Sequence, residues 1–175
     1  SIVDHLLPYF IKAGEEAIRR AQKGLKITIK PDKSPVTDGD LAVDEIIRNS
    51  IEKITPNIPI ISEETVNIKN KNTNKTFWLI DPIDGTKDYI NNKDEYTLNA
   101  ALVSDGIPKL GIINAPLKKR IFYSYGKGLS FEENQNGKTT LNCEKKTKKG
   151  KVFALSHSEN PTNDILKIYN ENKVY

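Results

Sequence analysis

The segment Trp78-Leu79-Ile80-Asp81-Pro82-Ile83-Asp84-Gly85-Thr86 constrains this chain more than any other, because an apolar strand runs directly into two carboxylates and then a glycine-threonine turn. Phe77 to Ile80 has the aromatic and branched composition of a buried strand, and Pro82, with no N–H to give a sheet, predicts that the strand ends there. Asp81 and Asp84 then stand at a strand exit. A rigid Asp-Pro-Ile-Asp bend can turn both carboxylates and the Ile83 carbonyl toward one hard divalent cation, which favours oxygen donors. A helix starting at Gly85-Thr86 would place its N–H groups and its dipole against a phosphate oxygen beside that cation. Asp81-Pro82 and Asp84-Gly85 also read as plain turn dipeptides between two elements. Ile60-Ile61-Ser62-Glu63-Glu64, a second short apolar strand ending in acids, weighs against so bland a reading.

The rest of the chain supports a layered α+β fold. After Pro8, which a helix tolerates only in its first turn, Phe10, Ala13, Gly14, Ala17, Ile18 and Ala21 mark one face of a first helix that includes His5 and ends near Gly24. Val43, Ile46, Ile47, Ser50, Ile51 and Ile54 mark a second helix, and Leu25 to Ile29 alternates as a short strand between them. From Thr97 the period changes to two. Strands are expected near Thr97–Ser104, Leu110–Asn114, Ile121–Tyr125, Leu129–Glu132 and Thr139–Leu141, as an antiparallel meander packed by the two helices. Val152–Ser156, Pro161–Tyr169 and Lys173-Val174-Tyr175 read as strand, helix and strand, the opening of a βαβ unit. The expected organisation is therefore a domain over 1–150 and the beginning of a second α/β domain over 151–175.

Composition excludes several classes of function. With 37% apolar and 29% charged residues over 175 positions, the chain reads as soluble and globular, with no run long enough to cross a bilayer. The single cysteine, Cys143, rules out a disulfide framework and suits a reducing compartment. His5 and His157 are dispersed, so neither metal-ligand spacing nor a Cys-His pair is evident. The N-terminus shows no basic flank before an apolar stretch, and a cytoplasmic location is expected, with peripheral membrane association left open. Net charge is +4, much of it from Lys145, Lys146, Lys148, Lys149 and Lys151. Without interleaved aromatic residues that run reads as a solvated linker, and no nucleic-acid partner is expected.

Taken in order, these motifs resemble the lithium-sensitive, magnesium-dependent phosphatases of the inositol monophosphatase superfamily. That family's Asp-Pro-Ile/Leu-Asp-Gly-Thr signature follows a Gly/Ser-Glu-Glu element, as Asp81 to Thr86 follows Ser62-Glu63-Glu64 here. Lys33-Ser34-Pro35-Val36-Thr37-Asp38-Gly39-Asp40 is similar to the Asn-Ser-Pro-Val-Thr-x-x-Asp segment of the bisphosphate nucleotidase branch, and Gly85-Thr86-Lys87-Asp88-Tyr89 to its Gly-Thr-Lys-Glu-Phe. Asp88 and Tyr89 are conservative departures, and the likeness extends from near the start to about Ser156.

The resemblance implies hydrolysis of the 3'-phosphate of a small phosphorylated nucleotide by a water activated by magnesium, with two to three ions and inhibition by lithium. It implies that Glu63, Asp81 and the Ile83 carbonyl hold the first ion, that Asp81 and Asp84 share the second, and that Glu63 helps with a hydrated third. Asp40 and Thr86 would form the pair that orients and deprotonates the attacking water, with Gly85 and Thr86 N–H groups on the phosphate. Glu63, Asp81, Ile83, Asp84, Gly85 and Thr86 together would line the substrate side. Thr37-x-x-Asp40 reads equally as a helix capping box. The resemblance further implies a second domain with another ligand aspartate and the specificity residues, and a homodimer remains possible. Inositol or sugar monophosphatase activity and a metal-binding module without turnover are the other open readings.

Overall fold

The computed structural model describes residues 1–64 and 75–142, together with the single positions Asn163, Leu166 and Lys167, which are helical and exposed. The chain divides into two compact units, Ser1–Leu141 and Asn142–Tyr175. The expected βαβ opening, Cys143, His157 and the lysine run lie outside the described residues or reach them only at those single positions.

In the first unit, helix α1 spans Ile2–Lys23 and α2 spans Asp38–Ile54. Strands β1 (Ile27–Ile29) and β2 (Pro35–Thr37) form a separate antiparallel hairpin between them. Strands β3 (Ile60–Ser62), β4 (Thr76–Asp84), β5 (Thr97–Ser104), β6 (Ile107–Ala115), β7 (Arg120–Ser124), β8 (Ser130–Asn134) and β9 (Gly137–Leu141) form one sheet in sequence order, and the short helix α3 (Thr86–Ile90) follows β4. The meander is antiparallel as expected. The sheet as a whole is mixed, because β3 pairs with β4 in parallel.

Three expectations need correction. The first helix begins at Ile2, so Pro8 lies well inside it. Ser1 caps that end by accepting from the Asp4 N–H at 3.3 Å while its ammonium meets Asp4 Oδ2 at 2.9 Å, and Val3 and Leu6 are fully buried. The cap and the longer apolar stripe outweigh the one hydrogen bond that proline removes. Second, β4 does not stop at Pro82. Asp81 faces Asn99 and Asp84 faces Thr97, so the strand carries one extra residue in a bulge and resumes pairing. A bulge is a place where a sheet needs no N–H, which is how proline is accommodated. Third, the strand expected over Leu25 to Ile29 is shorter and entirely exposed, and its partner β2 was not anticipated.

The core lies between the helices and one face of the sheet. Phe10, Ala13 and Ala17 from α1, with Val43, Ile47 and Ile51 from α2, meet Trp78, Ile80, Leu98, Ala100 and Ile112. Trp78 is fully buried, and its indole N–H donates to Thr55 Oγ1 at 3.0 Å. On the opposite face, alternation leaves Leu79 and Ile113 about half exposed. Truncating Phe10 to Ala should cost about 3–5 kcal/mol in a denaturant titration, because it opens a cavity where both helices meet the sheet. A loss below about 1 kcal/mol would mean that α1 is not packed on the sheet.

Candidate active site

The loop that follows β4 is shaped by a conflict between strand pairing and sequence. Pro82 breaks the ladder, and the bulge turns Ile83 into the core, where its side chain is 2% exposed, while Asp81 and Asp84 stay at the sheet's end. Gly85 then takes a left-handed conformation, φ 93° and ψ 37°, and a Cβ there would approach the Glu95 carbonyl to 2.9 Å. Backbone strain and that close approach both require glycine. Helix α3 starts at the next residue.

Thr86 is thereby brought to Asp40, which arrives from the other side of the core on the first turn of α2. The Thr86 hydroxyl lies 3.3 Å from Asp40 Oδ1 and 3.2 Å from the Ile83 carbonyl. Asp40 is 1% exposed, and its Oδ2 accepts from the Thr37 N–H at 2.8 Å and the Thr37 hydroxyl at 2.5 Å. The capping box and the contact with Thr86 therefore coexist, one on each carboxylate oxygen. Burial pushes the Asp40 carboxyl above the usual range, with the Thr37 and Thr86 hydrogen bonds opposing.

Glu63 and Glu64 enter from the adjacent strand. The Glu63 N–H donates to the Ile80 carbonyl at 3.1 Å, which places this turn beside Asp81. Desolvation, followed by the charges of Glu63 and Asp84, pushes Asp81 up to about 7. Asp81 Oδ1 is buried and has no hydrogen-bond partner among the described residues, and the same holds for Oδ1 of its register partner Asn99. Asn99 Nδ2 lies 3.3 Å from Asp84 Oδ2. Two buried acceptor oxygens without donors, amid repelling carboxylates, are the donor set that a hard divalent cation satisfies. Among the described residues no three acidic, histidine or cysteine side chains already close on one point. Glu63 instead leans outward toward Lys30, whose Nζ lies 3.5 Å from Glu63 and 2.9 Å from Glu64.

Sequence reasoning missed several parts of this arrangement. Lys30, on the turn of the β1–β2 hairpin, is a cation that faces the Glu63-Glu64 turn. Tyr89, noted only as a departure from phenylalanine, donates its hydroxyl to the Ala17 carbonyl at 2.7 Å, tying α3 to α1. Gly39 makes room for that ring: a Cβ would stand 2.3 Å from the Tyr89 hydroxyl. Asn99 carried no signal beyond its place opposite Asp81.

Two outcomes follow. Tyr89→Phe should lower stability by about 1 kcal/mol in a denaturant titration, as the Ala17 carbonyl loses a buried donor. Without divalent cation, Asp81→Asn should stabilise the protein. An acid whose folded pKa is raised loses stability as pH rises from its unfolded value toward about 7. The mutant's advantage should thus be near zero at about pH 4 and largest above pH 7, read from thermal melts across that range. A pH-independent difference would mean that Asp81 is not crowded by other negative charge.

Comparison with known proteins identifies the family of the chain. The inositol monophosphatase family pattern matches residues 4–173. The chain is 35% identical over 152 residues to the 3'(2'),5'-bisphosphate nucleotidase CysQ of Buchnera aphidicola, covering 86% of this chain and 56% of that protein. It therefore spans little more than half of that relative's length. Its fold matches CysQ from Bacteroides thetaiotaomicron with a TM-score of 0.69 at 20% identity, over 98% of this chain and 69% of that one. The Staphylococcal inositol monophosphatase-1, solved as a LiCl-soaked inhibitory complex, gives 0.77 at 18% identity over 100% of this chain and 66% of that one. With the bulged Asp-Pro-Ile-Asp strand, the αL glycine and the family pattern over nearly its whole length, the chain belongs to the inositol monophosphatase family.

Proposed function

We propose that the protein is a magnesium-dependent phosphatase that removes the 3'-phosphate of 3'-phosphoadenosine 5'-phosphate, releasing AMP and inorganic phosphate. The observation that carries this reading is the approach of the Thr86 hydroxyl to Asp40, two residues from separate elements meeting beside the Asp81–Asp84 bulge. The likeness to the Buchnera nucleotidase supports the choice of substrate. We assign residues 1–150 to the metal- and phosphate-binding domain and residues from 151 to the start of a second α/β domain.

In this reading Glu63, Asp81 and the Ile83 carbonyl would hold one magnesium ion, and Asp81 with Asp84 would hold another. Bound there, magnesium supplies Lewis-acid stabilisation of phosphoryl oxygens and acidifies water. The Gly85 and Thr86 N–H groups hold the phosphate. Thr86 accepts the water's proton as it passes its own to Asp40 Oδ1, so the hydroxyl orients the water without accumulating charge. Asp40 suits that role because Thr37 saturates its other oxygen, leaving Oδ1 turned toward Thr86. Burial favours the protonated carboxyl, which eases the transfer.

Phosphate release by the protein as its gene encodes it, with magnesium, should be faster from 3'-phosphoadenosine 5'-phosphate than from inositol 1-phosphate. The reverse preference would reassign it to the monophosphatases, and the absence of metal-dependent release would overturn the enzymatic reading. Asp40→Asn and Thr86→Ala should each lower kcat by about 10²–10⁴, the scale of positioned proton transfer. Because the two act as one unit, the double mutant should be little worse than either single mutant. Fully additive losses would show that they work separately.

A further inference from the structure

The Glu63-Glu64 turn follows a three-residue strand and holds Glu63 exposed, a poor platform for a ligand unless something beneath fixes it. Its support is a polar group buried in an otherwise apolar interface. Asp44 lies one turn beyond Asp40 on α2, among Val43, Ile47 and Ile51, and is 5% exposed. The hydroxyl of the fully buried Ser62 donates to Asp44 Oδ1, and Arg48 Nε lies 3.2 Å from Asp44 Oδ2. Ser62 Oγ in turn accepts from the Glu64 N–H at 3.3 Å. A relay of polar contacts thus runs from the guanidinium through the carboxylate and the hydroxyl to the backbone of the turn.

We propose that Asp44, whose carboxylate meets Ser62 and Arg48, is a positioning residue that fixes the Glu63-Glu64 turn through Ser62. The inference rests on the reading of Glu63 as a metal ligand. Its physical basis is geometric. Residues four apart on a helix share a face, so Asp40 and Asp44 project from α2 on the same side, one to Thr86 and the other to Ser62. A single rigid helix therefore sets both the proton-accepting carboxylate and the turn that carries Glu63. A carboxylate buried in an apolar interface is kept only where its partners repay its desolvation, and here these partners lead to the site. Groups that orient metal ligands from behind typically change metal affinity by 10–100-fold when removed.

The test uses the protein as encoded, in Ser62→Ala, Asp44→Leu and Asp44→Asn forms. In the absence of metal, amide exchange at Glu63 and Glu64 should accelerate about tenfold or more in Ser62→Ala and Asp44→Leu, while Trp78 and Leu98 in the core exchange at the parent rate. Asp44→Asn, which keeps an oxygen for the Ser62 hydroxyl, should retain most of the protection. Magnesium titrated calorimetrically should bind about tenfold or more weakly to Ser62→Ala than to the parent. Unchanged local exchange in Ser62→Ala overturns the proposal, as does acceleration spread evenly over the core. Parent-like magnesium affinity in a variant with a loosened turn also overturns it. If the parent itself binds no magnesium, the metal-ligand reading of Glu63 fails, and the exchange data alone decide whether Asp44 fixes the turn.

Discussion

Everything at this site depends on Pro82 interrupting a strand that the rest of the sheet requires. Trp78 and Ile80 are needed in the core, and Asp84 is needed opposite Thr97, so β4 cannot simply stop at the proline. The strand absorbs it as a bulge. One extra residue reverses the alternation, so that Ile83 points into the core instead of Asp84, and both aspartates remain at the end of the sheet. The Ile83 carbonyl is free to meet the Thr86 hydroxyl, and Gly85 makes the left-handed turn into α3. A non-proline residue at that position would permit regular pairing, and regular pairing would send the second carboxylate to the wrong face.

The second requirement is that α2 be held in register with this bulge. Its N-terminus is fixed by the reciprocal Thr37–Asp40 cap, its buried face by Val43, Ile47 and Ile51, and its approach to β3 by Asp44 and Ser62. The hairpin of β1 and β2 feeds directly into that cap, and Arg20 on α1 reaches Asp38 at 2.9 Å. The Asp40 carboxylate is consequently rigid. Asp81, by contrast, is crowded by other negative charge, and its protonation follows whatever positive charge is supplied. That contrast is the one expected if Asp40 receives a proton and Asp81 a cation, as proposed above.

The sequence shows these two parts unequally. The meander was legible because period-two alternation and turn dipeptides are local properties, and its strands fall within a few residues of expectation. The carboxylate pair and the glycine were legible for the same reason. The continuation of β4 past Pro82 was not, since a bulge is determined by what Asn99 and Thr97 require across the sheet. Pro8 misled in the same way, as the stripe through Val3 and Leu6 decides where α1 starts. Lys30 and Tyr89 gained meaning only from partners more than 30 residues away. Asp44 left one sequence trace, a carboxylate four residues beyond Asp40 on a face otherwise apolar, but nothing local ties it to Ser62.

The most direct test of the central claim is a crystal structure of the protein soaked with manganese, with anomalous scattering used to locate the ion. The bulge should place a peak within coordination distance of about 2.0–2.2 Å of Asp81 Oδ1 and the Ile83 carbonyl, with Glu63 turned away from Lys30 to join them. A protein that binds manganese elsewhere, or that leaves Asp81 Oδ1 without a partner while the metal is bound, would contradict the claim that the interrupted strand builds a cation site.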